Sequence, residues 1–356
     1  MDTARSTPRR RPTLRDVAAA AGVDLSTASR LLRNHTDGYR RDTVDRVVRV
    51  AAELGYRPNT QARALRLRRQ QAIAMLVPDL DNFGFTEVLR GIQDICEEEG
   101  FTLLLSEVRA GPHSPRHDPA NLAGRVDGAL VAFATVDDPQ VGQWLHQLDL
   151  PTVMVQRGAP DALACVVLDE EGNAGLMVEH LAGLGHRRIG HVSGSLTTDT
   201  ALRRQQGFDD AMGARGLPIP PAWTADSGFT FAGGHAATLA IMSRREDQRP
   251  TALAVDSLVS ALGCLTALRE LDLRVPDDVS VITIDEHVMA AQTTPPLTTI
   301  KVPQRKLGHR AARMLLDVIE GGTGDRVVID GPTEIIVRQS TAPYRRDPSE
   351  RLPSRR

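Results

Sequence analysis

The side chains best equipped for chemistry in this sequence are arginines, and they are unevenly placed. Residues 1–71 hold 16 Arg, no Lys and seven acidic residues, a net charge of +9. The whole chain has 43 Lys+Arg against 45 Asp+Glu and a formal charge of −2, so the remainder carries −11. A guanidinium donates paired hydrogen bonds to a guanine edge or a phosphate, and a basic head on an acidic body points those donors at nucleic acid. Catalysis is the rival chemistry. Ten His and many acids are available, among them His180, His186 and His191, yet their spacing fits no HExxH. There is no GxSxG, no GxxxxGK[ST] and no GxGxxG after an apolar run. The expectation is a binding protein, not an enzyme, with no cofactor and no metal.

Those arginines need a scaffold. Thr13 opens a helix with Leu14, Val17, Ala18 and Ala21 on one side and Asp16 three places after the capping Thr, and Gly22 ends it. Asp24 caps a second helix with Ala28, Leu31 and Leu32 inward, and 34–38 reads as a turn. A third helix from about Arg41 to Leu54 rests on Val44, Val47, Val48, Ala51 and Leu54 and stops at Gly55. Three short helices round one small core, with a short break between the first two, make a helix-turn-helix module.

In such a module the second helix enters the major groove and the side chains of its first turns reach base edges. Here those are Leu25, Ser26, Ser29 and Arg30. Leu25 offers apolar contact, for instance to a thymine methyl, and Arg30 either pairs with guanine or holds a phosphate. Ser26 and Ser29 read bases or are simply solvated. Arg15, Arg40, Arg41, Arg57 and Arg63 are expected on phosphates, positioning the head without reading sequence. One head spans too few base pairs for selectivity, so a homodimer on a near-palindromic site is expected, with a tetramer left open.

Beyond Pro58 the stretch 59–71 is polar and short of the ~12–15 residues an isolated helix needs in water, so it reads as a linker that becomes helical only with support. From Ala72 the pattern changes to short apolar runs: 73–77, 102–105, 128–132, 152–155, 165–168, 189–192, 252–255 and 279–284. Helical stretches such as 87–99, 173–184, 203–215, 258–271 and 306–319 lie between most of them. Continuous apolar strands separated by helices indicate parallel sheets covered on both faces. The expected architecture is an α-helical headpiece plus an α/β two-lobed core of doubly wound parallel sheets. The head is placed at 12–58, the hinge helix or linker at 59–71, the body at 72–343 and disordered ends at 1–11 and 344–356. Within the body, lobe 1 is expected over about 72–170 and 302–322, and lobe 2 over about 171–300 and 326–343.

Composition narrows the class further. The chain of 356 residues is 41% hydrophobic, enough for sizeable cores. No apolar run approaches the ~20 residues that cross a bilayer, and the start lacks a secretory signal's apolar stretch, so a cytoplasmic location with no membrane partner is expected. Cys96, Cys165 and Cys264 are too few and scattered for a disulfide framework or a CxxC knuckle and are expected to be core thiols.

The head reads Thr13-Leu14-Arg15-Asp16-Val17-Ala18, Ala21-Gly22-Val23, Ser26-Thr27-Ala28-Ser29-Arg30 and Leu54-Gly55-Tyr56-Arg57-Pro58-Asn59. It closely resembles the headpiece of the LacI/GalR family of transcriptional regulators. The body continues the resemblance in order: Arg125-Val126-Asp127-Gly128, Leu184-Gly185-His186-Arg187-Arg188-Ile189, Arg204-Gln205-Gln206-Gly207-Phe208, Pro296-Leu297-Thr298-Thr299-Ile300 and Val337-Arg338-Gln339-Ser340-Thr341. The resemblance spans about Thr13 to Pro343 and implies a periplasmic-binding-protein-like body that senses a small effector, with carbohydrate the usual class. It also implies a hinge helix that enters the minor groove, with Asn59, Ala62 and Leu65 at the hinge and Leu65 as a wedge between base pairs; packing of Leu65 against the body is the other reading.

Two doubly wound lobes bind ligand between them, at the carboxyl ends of their strands. The resemblance assigns effector contacts to Asp81, Phe83, Phe85, Glu171, Arg204, Phe229, Ser257 and Asp285. Arg204 with Asp285 could instead be an interlobe salt bridge, Phe229 a core residue and Glu171 a solvated acid. Departures from the family pattern concern the ligand: Asp256-Ser257-Leu258 stands where Ala-Asn-Asp is frequent, Phe83-Gly84 where Pro-Phe is common, and Gln156-Arg157 where Asp-Arg is frequent. A ligand other than a common hexose is consistent with them. An exported solute-binding protein is disfavoured by the basic head.

Overall fold

The computed structural model describes residues 12–32, 38–56, 69–108, 122, 124–133, 149–158, 164–331 and 333–344. Arg57, Asn59, Ala62, Arg63 and Leu65, the ends 1–11 and 345–356, and the unusual stretch 109–121 lie outside them. Two compact units divide the chain, one ending at Gln70 and the other starting at Gln71.

The first unit contains α1 (Leu14–Ala21), α2 (Leu25–Leu31) and α3 (Arg41–Leu54). Asp16 accepts hydrogen bonds from the Thr13 amide at 2.7 Å and its hydroxyl at 2.8 Å, closing the first turn of α1. Asp24 does the same for α2, taking the Thr27 amide at 2.8 Å. Gly22 and Gly55 end α1 and α3 in the left-handed conformation that glycine adopts without strain. Val17, Ala21, Leu31, Val47 and Ala51 form the shared core. Val48 and Leu54, expected to face inward, are exposed, because α3 is long enough for its apolar stripe to outrun so small a core.

The second unit contains two six-stranded sheets. The first holds β1 (Ala72–Val77), β2 (Thr102–Glu107), β3 (Gly128–Val131), β4 (Thr152–Val155), β5 (Cys165–Leu168) and β11 (Arg326–Ile329), in the order β11-β5-β4-β3-β1-β2. The second holds β6 (Ile189–Ser193), β7 (Thr224–Asp226), β8 (Ala252–Val255), β9 (Ser280–Ile284), β10 (Thr298–Lys301) and β12 (Glu334–Ile336), in the order β12-β10-β9-β8-β6-β7. All pairs are parallel except β10 with β12, where Thr299 faces Ile336 in an antiparallel edge. Helices α4 (Thr86–Glu99) and α9 (Gln304–Ile319) cover the first sheet. Helices α5 (Glu170–Gly183), α6 (Asp199–Ala214), α7 (Phe231–Met242) and α8 (Leu258–Glu270) cover the second. The central strands read as unbroken apolar runs because both faces are buried.

The chain passes between the lobes three times, after β5, after β10 and after β11. This corrects one boundary: 326–329, expected in lobe 2, pairs with β5 in lobe 1, Val327 opposite Val166. Tyr344, expected in the disordered tail, donates its amide to the Leu184 carbonyl at 2.8 Å and sets its ring beside His186. Cys96, Cys165 and Cys264 are all buried, and burial pushes the Cys264 thiol up to about 12. Among the described residues no helix is long and apolar enough to cross a membrane.

Candidate functional site

Between the two sheets lies a cleft of about 290 Å³, counted out to its open mouth. Asn82, Phe85, Gln156, Arg157, Thr200, Arg204, Phe229, Ser257 and Asp285 line it. They come from the ends of β1, β4, β8 and β9, the start of α6 and the turn before α7, as the topology of two doubly wound sheets requires.

Backbone strain gathers here. Six described non-glycine residues have positive φ, and three of them, Gln156 at 66°, Phe229 at 59° and Asp285 at 80°, line the cleft. Each such residue costs of order 1 kcal/mol or more, and strain of this kind clusters where side chains must be aimed. Phe229 is aimed by close packing on Gly194: a Cβ on Gly194 would sit 1.9 Å from the ring's Cζ.

Arg204 is the electrostatic centre. Its Nε donates to Glu170 Oε2 at 2.6 Å, with Arg204 2% and Glu170 0% exposed. Its Nη1 donates to the Asp256 carbonyl, and its Nη2 is buried without a partner. Burial disfavours the charge, but Glu170, Asp256 and Asp285 outweigh it and hold Arg204 above an ordinary arginine value. Helix packing makes the pair possible: α5 and α6 meet backbone to backbone at Gly207, where a Cβ would lie 2.1 Å from the Glu171 carbonyl oxygen.

Burial raises the Asp285 carboxyl to about 6; Arg204 partly offsets this, while Glu170 and Asp256 add to it. Asp285 accepts from Gln304 Nε2 at 2.6 Å, a bond from the start of α9 in lobe 1 to the end of β9 in lobe 2. Asp256 takes His191 Nε2 and the Gly194 amide, each at 2.8 Å. Burial opposes the Asp256 charge, yet His191, Arg204 and that amide hold its carboxyl below the usual range. Ser257 caps α8 and donates to Ser260 at 2.9 Å.

Of the residues expected at the effector site, Phe85, Arg204, Phe229, Ser257 and Asp285 come together in the cleft. Glu171 does not: it is exposed on α5, and its neighbour Glu170 turns inward to Arg204. Asp81 is also exposed, its amide tied to Asp79 at 2.8 Å, and Asn82 takes the cleft position. Phe83 stacks on His287 of lobe 2, ring centroids 4.8 Å apart, outside the cleft lining. The partner of Arg204 is Glu170 of its own lobe, not Asp285. Gln156, Arg157, Thr200, Glu170 and Asp256 were missed as site residues; the departures at Gln156-Arg157 and Asp256-Ser257-Leu258 were the signals that pointed to three of them.

On the head, Leu25 is 42% exposed, and Ser26 and Arg30 are exposed on α2 with Ser29 half-buried. Ser26 donates its hydroxyl to Asp24 Oδ1 at 2.6 Å, leaving it an acceptor towards a partner. Arg15, Arg40 and Arg41 are exposed.

A helix-turn-helix head and a two-lobed binding body together define a DNA-binding repressor governed by a small-molecule effector. Comparisons with known proteins agree: a profile described as "Bacterial regulatory proteins, lacI family" matches residues 13–59, and one for a periplasmic binding protein-like domain matches 178–341. The HTH-type transcriptional repressor PurR of Aliivibrio fischeri (strain MJ11) is 32% identical over 330 residues, covering 92% of this chain and 98% of that protein. A solved LacI family regulator from Mycobacterium smegmatis has a TM-score of 0.72 at 32% identity, over 76% of this chain and 99% of that one. The lac repressor dimer bound to operator and the anti-inducer ONPF has a TM-score of 0.73 at 27% identity, over 94% and 100%. A CelR–cellobiose complex has a TM-score of 0.69 at 31% identity, over 93% and 100%. The chain belongs to the LacI family of bacterial regulatory proteins.

Proposed function

We propose that this repressor acts in the cytoplasm as a homodimer on a near-palindromic operator, and that a hydroxylated metabolite bound between the lobes sets its DNA affinity. The observation that carries this is the convergence of Arg204, Phe229, Ser257 and Asp285 on one cleft. Phe229 offers a face to a sugar-like ring, and Arg204 Nη2 and Asp285 offer a donor and an acceptor to hydroxyls. Leu25, Ser26, Ser29 and Arg30 read bases; Arg15, Arg40, Arg41, Arg57 and Arg63 hold phosphates; Asn59, Ala62 and Leu65 form the hinge, with Leu65 the wedge. Effector occupancy selects one arrangement of the lobes, which fixes whether two hinges can enter the minor groove together. The shift is limited by the effector's difference in affinity for the two arrangements.

Selection of bound duplexes from a random pool, across a salt series and with or without sugars, polyols and nucleosides, tests the reading. A two-fold symmetric site with steep salt dependence and an affinity that changes with one compound is expected. A monomer that retains no duplex overturns it.

A further inference from the structure

Each carboxylate around the cleft holds at least one partner: Glu170 bonds Arg204 through Oε2 while its Oε1 is buried without one, Asp256 holds His191 and the Gly194 amide, and Asp285 holds Gln304. Arg157 holds none. It projects from the end of β4 and is only 9% exposed, and no hydrogen bond or ion pair joins it to the described residues. Its neighbours are the Phe229 ring, 5.8 Å from the guanidinium carbon, and the charge of Arg204. Arg204 stands over the same ring at 5.9 Å. One quadrupole shared by two like charges does not neutralise either, so burial and then Arg204 lower the Arg157 value to about 10. A buried charge without a partner is costly, and such groups are normally paired.

Three atoms near Arg157 are buried without a partner: the acceptors Gln156 Oε1 and Glu170 Oε1 and the donor Arg204 Nη2. Hydroxyl groups can answer all three, since each donates and accepts.

We infer that the effector is a sugar acid: a hydroxylated body whose carboxylate is the counter-ion of Arg157. This rests on the cleft being the effector site and names what fills it. A carboxylate matches one guanidinium in charge and in its two parallel hydrogen bonds. A phosphate near −2 would leave excess negative charge in a dry site. A neutral sugar would leave Arg157 uncompensated.

The test is calorimetric titration of the full chain with D-glucuronate, D-galacturonate and D-gluconate, against D-glucose, D-galactose, D-glucitol and D-glucose 6-phosphate. At least one carboxylate should bind well ahead of its neutral counterpart and of the phosphate. Arg157→Met should weaken that compound roughly ten- to hundredfold, the worth of a charged hydrogen-bonded contact. A preference for a neutral sugar or the phosphate, or no binding by any of the three acids, overturns the inference. A second readout needs no ligand: removing an unpartnered buried charge should raise the Tm of the free protein on the order of 2–4 °C, whereas a fall would make Arg157 a structural residue and overturn the inference. If an acid binds but Arg204→Ala and Phe229→Ala leave its affinity unchanged, the cleft assignment itself fails.

Discussion

Glu170 and Arg204 offer the most direct way to break the cleft. Their side chains are sealed from water and joined at 2.6 Å. Glu170→Leu strands the guanidinium with the Asp256 carbonyl as its remaining partner. Removing one member of such a buried pair costs about 3–5 kcal/mol, because the other charge stays uncompensated. Against a typical total of about 5–15 kcal/mol, that is a large fraction of the stability of the body. Adding Arg204→Met removes the stranded charge and should return the protein to within about 1 kcal/mol of the parent, since apolar replacements of buried pairs are often neutral. Urea unfolding followed by circular dichroism on the parent, both single variants and the double variant closes the cycle, provided the slopes agree. With about 3–5 kcal/mol lost in each single variant and about 1 in the double, the expected coupling is about 5 kcal/mol or more. A Glu170→Leu loss under about 1 kcal/mol, or a double variant as unstable as both singles combined, would refute the view that this pair preorganises the site.

Other outcomes can be checked in parallel. Asp285 binds its proton more tightly folded than unfolded, so its contribution to stability falls as pH rises through about 6. Asp285→Asn should therefore stabilise the protein above pH 6 by on the order of 2–3 kcal/mol, with the gain fading below pH 4; a gain that does not vary in a Tm–pH series would contradict this. Gly194→Ala places a Cβ 1.9 Å from the Phe229 ring, so the effector response should be lost while operator binding persists, as a gel-shift titration would show. Leu65→Gly should weaken specific binding far more than nonspecific binding, and equal losses would remove the wedge. Changing Ser26 should alter the selected operator sequence; an unchanged profile would show that its bond to Asp24 occupies it.

Much of the fold was legible because the local signals agreed. The head helices have caps at Thr13 and Asp24, stops at Gly22 and Gly55, and one apolar stripe each. Central strands such as Ala252–Val255 are buried on both faces and so appear as apolar runs. The edge strands Arg326–Ile329 and Glu334–Ile336 carry no such mark: they are short and part-exposed, and went unread as strands. Helix α7, with Gly233-Gly234 near its start and little polar contrast between faces, was also missed. The slip from Glu170 to Glu171 has a geometric cause. The helix was expected to begin at Asn173 but begins at Glu170, and without its phase two adjacent acids, about 100° apart on a helix, cannot be told apart. Arg157 was noticed only as part of a departure, since being unpaired is a property of neighbours distant in sequence.

The three passages of chain between lobes bear on synthesis. Lobe 1 begins at β1 but receives α9 and its edge strand β11 from residues 304–329, and lobe 2 is closed by β12 still later. While residues before 304 are being translated, neither sheet can be finished, and the apolar face awaiting α9 stays uncovered until residues 304–319 emerge. Domains that can fold in order as they emerge avoid this exposure. Here only the small amino-terminal module can, so a premature stop after residue 300 would release an intact DNA-contacting head joined to two unfinished lobes.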